Sequence, residues 1–317
     1  MEPTPPEREI SDLQVTDAHA HFFGHGFFRA LLAQRPGTDE PPTSAEVSAV
    51  VNELGLDAPP EDDRALAQRW VDELDRHGVR QIALMASVPP DWPSVAAAVR
   101  DHPDRLLGLT MVHPKMPNAV ELAETALTEG GLRGLCLFPA MQHCHVFDPE
   151  ARAVIEVARK HHALVFCHFG ILRIPIRDRL GLASPFDGTF AVPTDLHRVA
   201  MDYPDVTFQV PHFGAGYLRE TLLLGAQCPN VVVDTSSSNS WMRLLDSRLD
   251  LVEVLRRTLE AFGPERILWG SDSSVFPRGW RRDLFEEQLP AYRQAGCSDD
   301  DLRAIFGGNA RRILRVE

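Results

Sequence analysis

Eight short apolar runs alternate with helical stretches along 317 residues, and this rhythm constrains the fold more than any single motif. The runs begin at Leu13 and continue at Gln81–Ala86, Leu106–Val112, Gly134–Phe138, Leu164–Cys167, Val206–Val210, Val231–Asp234 and Ile267–Trp269. Between them the sequence predicts helices over Arg64–His77, Pro93–Asp101, Ala119–Glu129, Pro149–His161, Pro193–Met201, Tyr217–Ala226 and Leu249–Phe262. Leu284–Ala295 and Asp299–Ile313 complete the series. Strand–helix alternation means parallel strands joined by crossover helices. Runs such as Ile82-Ala83-Leu84-Met85 and Val231-Val232-Val233 suit a sheet covered on both faces. Eight strands are what a closed α/β barrel of the (β/α)8 type requires. An open doubly wound sheet is the competing arrangement, and no Gly-x-Gly-x-x-Gly turn follows any run.

Two segments fall outside the rhythm. Residues 1–12 are acidic and proline-rich and are expected to be disordered, leaving 13–317 as one barrel domain. Residues 31–63 carry Pro36, Pro41, Pro42, Pro59 and Pro60 around a short helix at Ser44–Leu54, so they read as an insertion or lid after the first strand.

The net charge of -13 argues against a nucleic-acid partner, because such binding depends on clustered Lys and Arg that displace counterions. No stretch approaches the ~18 apolar residues of a membrane span, and the first residues lack the apolar core of a signal peptide. Cys136, Cys144, Cys167, Cys228 and Cys297 are odd in number and lack paired spacing, which fits reduced thiols. The expectation is a soluble, cytoplasmic protein acting on a small molecule.

Active-site residues of a parallel barrel sit at the carboxyl ends of its strands. Alternation along a strand puts His19 and His21 of Asp17-Ala18-His19-Ala20-His21 on one face. His168, His212 and Asp272 follow three later runs at equivalent positions. Each has an ordinary explanation by itself: His168 as a hydrogen-bonded core histidine, Asp272 as a helix N-cap within Ser271-Asp272-Ser273-Ser274. Four strand ends bearing ligands together point to one metal site. His19, His21, His168 and Asp272 would give three nitrogens and one oxygen, a shell for one divalent ion, zinc first and manganese second. His212 then remains as the acid/base, with Asp272 sharing proton transfer, and Asp17 is placed to orient a ligand imidazole.

These residues resemble the amidohydrolase superfamily, in particular the amidohydrolase-related group that includes aminocarboxymuconate semialdehyde decarboxylase and several small-ring hydrolases. The resemblance runs from Val15 to Leu314 and is carried by the Asp17–His21 motif, His168, Pro211-His212-Phe213-Gly214-Ala215-Gly216, Asn230–Ser236, Ile267–Asp272 and Gly308-Asn309-Ala310-Arg311-Arg312-Ile313-Leu314. It implies a distorted (β/α)8 barrel with one divalent metal, usually zinc, held at His19, His21, His168 and Asp272, and His212 beside the reacting water or substrate. It also allows a homodimer formed through outer helices. Two departures matter. Gly134–Phe138 contains no lysine to bridge a second metal. Phe213-Gly214-Ala215-Gly216 lacks the triple glycine and following proline of decarboxylase members and is closer to the hydrolases.

Arg173, in the loop after His168, is the expected carboxylate clamp, with Arg177 and Arg179 able to pair Asp178 instead. Pro277-Arg278-Gly279-Trp280-Arg281-Arg282 offers similar chemistry. Trp241 and Phe22-Phe23 are expected to line an apolar pocket, and His25 and His113 lie near the predicted mouth. His143-Cys144-His145 lacks the partner spacing of an independent zinc site. The expected activity is metal-dependent hydrolysis of an amide, lactone or similar carbonyl in a small carboxylated or aromatic compound. Nonoxidative decarboxylation on the same scaffold is the alternative, and a barrel without catalysis the third.

Overall fold

The computed structural model describes residues 5–37, 40–237, 239–245 and 248–316. Its centre is an eight-stranded sheet whose strands neighbour one another in sequence order. They are β1 (Thr16–His21), β2 (Gln81–Ala86), β3 (Leu106–Met111), β4 (Gly134–Leu137), β5 (Leu164–Cys167), β6 (Phe208–Val210), β7 (Val231–Asp234) and β8 (Ile267–Leu268). Every adjacent pair is parallel. The ring closes through irregular backbone: Ala18 N donates to Trp269 O at 3.0 Å, His21 N to Ser273 O at 2.7 Å, and Asp272 N to His19 O at 2.8 Å. The result is a distorted (β/α)8 barrel.

The seam between β8 and β1 is pinned by a buried carboxylate. Asp17 accepts from His19 N at 3.0 Å, Ser271 N at 3.0 Å and Trp280 Nε1 at 2.9 Å, and also from the Ser271 hydroxyl. Burial pushes Asp17 up to about 6 despite these donors, of which Ser271 lowers it most. Gly270 is required by close approach, since a Cβ there would lie 2.8 Å from that of His19.

Two expectations are corrected, in the opening segment and in the first strand. Residues 1–4 lie outside the described residues, but Pro5–Asp12 is a helix with Ile10 fully buried, so that part of the opening segment is ordered. β1 starts at Thr16 instead of Leu13, because Gln14 in the left-handed region (φ 53°) turns the chain out of that helix. The last segment is helical over Asp299–Leu314 as expected, its α-helical parts Asp299–Arg303 and Asn309–Leu314 joined by a π-helical turn at Ala304–Gly308. There Gly307 abuts β1, where a Cβ would stand 2.5 Å from Gln14 O, and Asn309 donates to Pro264 O at 2.8 Å and Ile267 O at 2.9 Å.

The insertion after β1 forms helices His25–Leu32 and Ser44–Glu53, the second begun by a capping box between Thr43 and Glu46. Phe27, Phe28, Leu31, Leu32, Val47 and Val51 bury themselves against Leu180 and Leu182 from the connection after β5. This apolar cluster is separate from the barrel core, and Arg177 bonding Gln34 at 2.7 Å ties its two halves. Both long connections therefore pack together over the carboxyl end of the barrel.

Beside this cap Asp91 is buried with Oδ2 unpartnered, while Oδ1 accepts from Ser94 Oγ at 2.8 Å. Burial, with a smaller push from Asp63, raises it from 3.8 to about 7 against the Ser94 bond. The folded state thus holds a proton that the unfolded chain has released, and this group's contribution to stability falls as pH rises from 3.8 to about 7. Asp91→Asn is expected to stabilise the protein by about 1–3 kcal/mol at alkaline pH and to flatten stability across that window. Urea unfolding of both proteins over a pH series checks this; identical pH slopes would contradict it.

Candidate active site

His19 and His21 leave the end of β1 on the same face, as strand alternation requires. His168 follows β5, His212 follows β6 and Asp272 follows β8, and His212 (φ 57°) and Asp272 (φ 55°) both hold left-handed backbone. Non-glycine residues in that region carry strain that clusters at functional sites. His21, His168, His212 and Asp272 open into one cavity of about 750 Å³ at the carboxyl ends of the strands, and His19 lies buried beneath.

The coordinating atoms of His19, His21 and Asp272 all lie within 4.8 Å of one another. His21 Nε2 is 3.2 Å and His19 Nε2 4.0 Å from Asp272 Oδ1. The opposite nitrogens are engaged elsewhere. His21 Nδ1 meets Ser87 Oγ at 2.7 Å; His19 Nδ1 meets Asp234 Oδ2 at 3.1 Å and Ser236 Oγ at 2.9 Å. Fixing one ring nitrogen so that the other faces a common point is how proteins prepare imidazole ligands. His168 packs beside them, its ring 5.1 Å from His212 and stacked on Phe138 at 5.4 Å, and its buried Nδ1 has no partner.

Electrostatics follow from this geometry. Burial, helped by the neighbouring His212 and His19, holds His168 well below the ordinary histidine value, and burial likewise lowers His21 against the pull of Asp272. Both rings are therefore neutral. Asp272 stays well below the usual carboxylate range: burial opposes ionisation, but the His21 bond and the His212 and His19 charges outweigh it. Burial opposes a charge on His19 too, but the Asp234 charge and hydrogen bond raise it above its ordinary value, so its proton must leave for it to join the neutral His21 and His168 and the Asp272 carboxylate in a donor set that fits a zinc-like or manganese-like cation.

His19, His212 and Asp234 form a second group with the same closeness. Its atoms are already used. Asp234 accepts from Gln209 Nε2 at 2.6 Å, Ser236 N at 3.0 Å and His212 N at 3.3 Å as well as from His19, and Ser236 Oγ lies 2.8 Å from His212 Nδ1. Asp234 remains ionised below the usual range although burial opposes it, chiefly because His19 faces it. It orients His19 and the backbone of His212, the role that sequence reasoning gave to Asp17. Asp17 instead contacts His19 only through its backbone N–H. The signal for Asp234 was present, since it is the last residue of β7, the same strand-end position that singled out His168 and Asp272. Asp234→Asn is expected to weaken metal binding 10–100-fold without unfolding the protein. A chelator-competition titration with circular dichroism measures both, and unchanged affinity would remove this role.

The expected substrate contacts divide. Trp241 and Arg173 line the cavity. Phe22 does not: it is fully buried in the barrel core, because alternation after His21 sends it to the opposite face, and Phe23 lines the cavity in its place. Arg173, not Arg177 or Arg179, pairs Asp178, at 3.3 Å. His25 and His113 are not among the residues that line the cavity. His143 and His145 are held by Pro185 O at 2.5 Å and Asp195 Oδ2 at 2.7 Å, as ordinary structural contacts. No helix among the described residues is long and apolar enough to cross a membrane.

Comparison with known proteins agrees with this architecture. A stretch of 110 residues, 33% of this chain, is 31% identical to protein fluG of Emericella nidulans and spans 12% of that protein. In fold the chain is similar to a probable 2-pyrone-4,6-dicarboxylic acid hydrolase of Acinetobacter baumannii with bound citric acid (TM-score 0.59, 15% identity, 95% of this chain and 99% of that one). It is equally similar to the 5-carboxyvanillate decarboxylase of Novosphingobium aromaticivorans with bound manganese and a nitrobenzoic acid (TM-score 0.62, 13% identity, 95% and 97%). The amidohydrolase family model matches residues 16–316, nearly the whole chain, and the protein therefore belongs to the amidohydrolase family of enzymes.

Proposed function

We propose that the protein hydrolyses an amide, lactone or comparable carbonyl bond in a small carboxylated or aromatic compound, with one divalent cation held by His19, His21, His168 and Asp272. The observation that carries this reading is the convergence of His19 Nε2, His21 Nε2 and Asp272 Oδ1, each imidazole anchored through its other nitrogen, at the floor of a cavity that His212 also lines. Zinc suits the set; the manganese in the decarboxylase relative makes it the second choice. When bound, such a cation supplies Lewis acidity, polarising a carbonyl and making water acidic near neutral pH.

The chain's own residues supply the remainder. Burial keeps His212 below its ordinary value of 6.5, against the pull of Asp272, so at neutral pH it is an unprotonated base whose Nδ1 is fixed by Ser236. His212 and the anionic Asp272 take the proton released as water adds to the carbonyl and return it to the departing nitrogen or oxygen. Phe138, Met111, Leu172, Ile174 and Trp241 give the cavity an apolar wall that holds a ring and limits water.

The test is a panel of aryl lactones and amides turned over in oxygen-labelled water by zinc- or manganese-loaded protein. One solvent oxygen in the product, lost on chelation and restored by the ion, is expected. Release of carbon dioxide without solvent oxygen would overturn hydrolysis in favour of decarboxylation.

A further inference from the structure

Four arginines line the cavity: Arg173, Arg179, Arg278 and Arg281. Two of them are ion-paired and a third is turned to backbone. Arg173 bonds Asp178 through Nε and Nη2 at 3.3 Å, Arg179 donates to the Leu54 carbonyl, and Arg281 grips Asp283 through contacts of 2.6, 2.8 and 3.1 Å. Arg278 differs. Its Nη2 donates to the Ser274 hydroxyl at 2.8 Å, and among the described residues no carboxylate forms an ion pair with it.

Its charge nevertheless bears on the reacting centre. Burial and the nearby Arg281 lower Arg278, while Asp272 and Asp283 raise it. Arg278 is carried on the loop that leaves Asp272, so one short segment delivers both an anionic ligand and an exposed cation with no carboxylate hydrogen-bonded to it into the same space. A guanidinium has five N–H donors in a planar fork matched to two carboxylate oxygens, and one neutral hydroxyl leaves that capacity open.

Resting on the function proposed above, we propose that Arg278 is the residue that selects substrate, receiving a carboxylate on the compound whose carbonyl faces His21, His212 and Asp272. The substrate class is then a small apolar or aromatic ring bearing a carbonyl at one end and a carboxylate at the other, its middle against Phe138, Trp241 and Ile174. Ser274 steadies the guanidinium before binding. Arg173, the expected clamp, keeps its Asp178 partner and contributes little to selection.

Calorimetric titration of metal-loaded protein with 3-acetylbenzoate and with 3-nitroacetophenone tests this, because both carry a ketone carbonyl that hydrolysis cannot cleave and the neutral nitro group replaces the carboxylate in the second. Wild type is expected to prefer the carboxylate by about tenfold or more, the scale of one charge-assisted fork. Arg278→Met should reduce the preference to within about twofold, Arg278→Lys should restore part of it, and Arg173→Met should leave it intact. No preference in wild type, or a preference that disappears with Arg173→Met and survives Arg278→Met, would overturn the inference. Metal content measured on the same samples separates the two failures. Protein that takes up no ion contradicts the proposed function, whereas protein that takes up one ion without an Arg278-dependent preference contradicts this inference alone.

Discussion

Asp272→Asn is expected to lower kcat/KM by about 10,000-fold and to reduce the bound metal, because it removes a ligand and a proton carrier together. The substitution is chosen for its backbone. Asp272 sits at φ 55° with its N–H bonded to His19 O, and asparagine occupies the left-handed region nearly as readily as aspartate. Alanine would add strain there and confuse a folding defect with a chemical one. With asparagine the fold at the β8–β1 seam should persist, since Asp17, Ser271 and Trp280 hold it independently. Steady-state kinetics together with metal analysis read the result. Activity within tenfold of wild type, at full metal content, would show that this carboxylate neither coordinates nor transfers protons.

His212→Asn separates the other half of the chemistry. It should lower kcat by about 100- to 10,000-fold, the range for loss of a positioned acid/base, while metal content stays at the wild-type level. The sign of the pH dependence follows from the direction of its shift. A base must be unprotonated, and burial holds His212 below 6.5, so wild-type kcat/KM should climb with pH on the acid side of that value and level off near neutrality. The variant should lose this acid limb together with the rate. A variant that keeps the limb, or that loses metal in proportion to activity, would assign His212 to coordination instead of proton transfer.

Much of this architecture is legible in the sequence because barrel strands are short apolar runs set between helices. β2, β5 and β7 fall within the boundaries that alternation alone indicates. Strand ends then select His19, His21, His168, His212 and Asp272, since the fold places functional groups there whatever their separation along the chain. What escapes is whatever depends on partners distant in sequence. The opening segment reads as disordered from its prolines and charges, yet Ile10 finds a place in the core. The final helix reads as regular, but it widens into a π-helical turn at Ala304–Gly308, where Gly307 meets the Gln14 carbonyl closely. Phe22 and Phe23 are equivalent by composition and opposite by strand parity. Asp17 and Asp234 could both orient an imidazole, and only the closing of β8 on β1 assigns Asp17 to the seam and Asp234 to His19. The arginines are the hardest to read, because which of them are ion-paired is decided by Asp178 and Asp283.

An anomalous-difference map from crystals of the zinc-loaded protein locates the proposed cation. A single peak is expected about 2.0–2.2 Å from His19 Nε2, His21 Nε2, a His168 nitrogen and an Asp272 oxygen, with Asp234 outside the coordination sphere. A peak among His19, His212 and Asp234, or no ordered peak at the floor of the cavity, would contradict it.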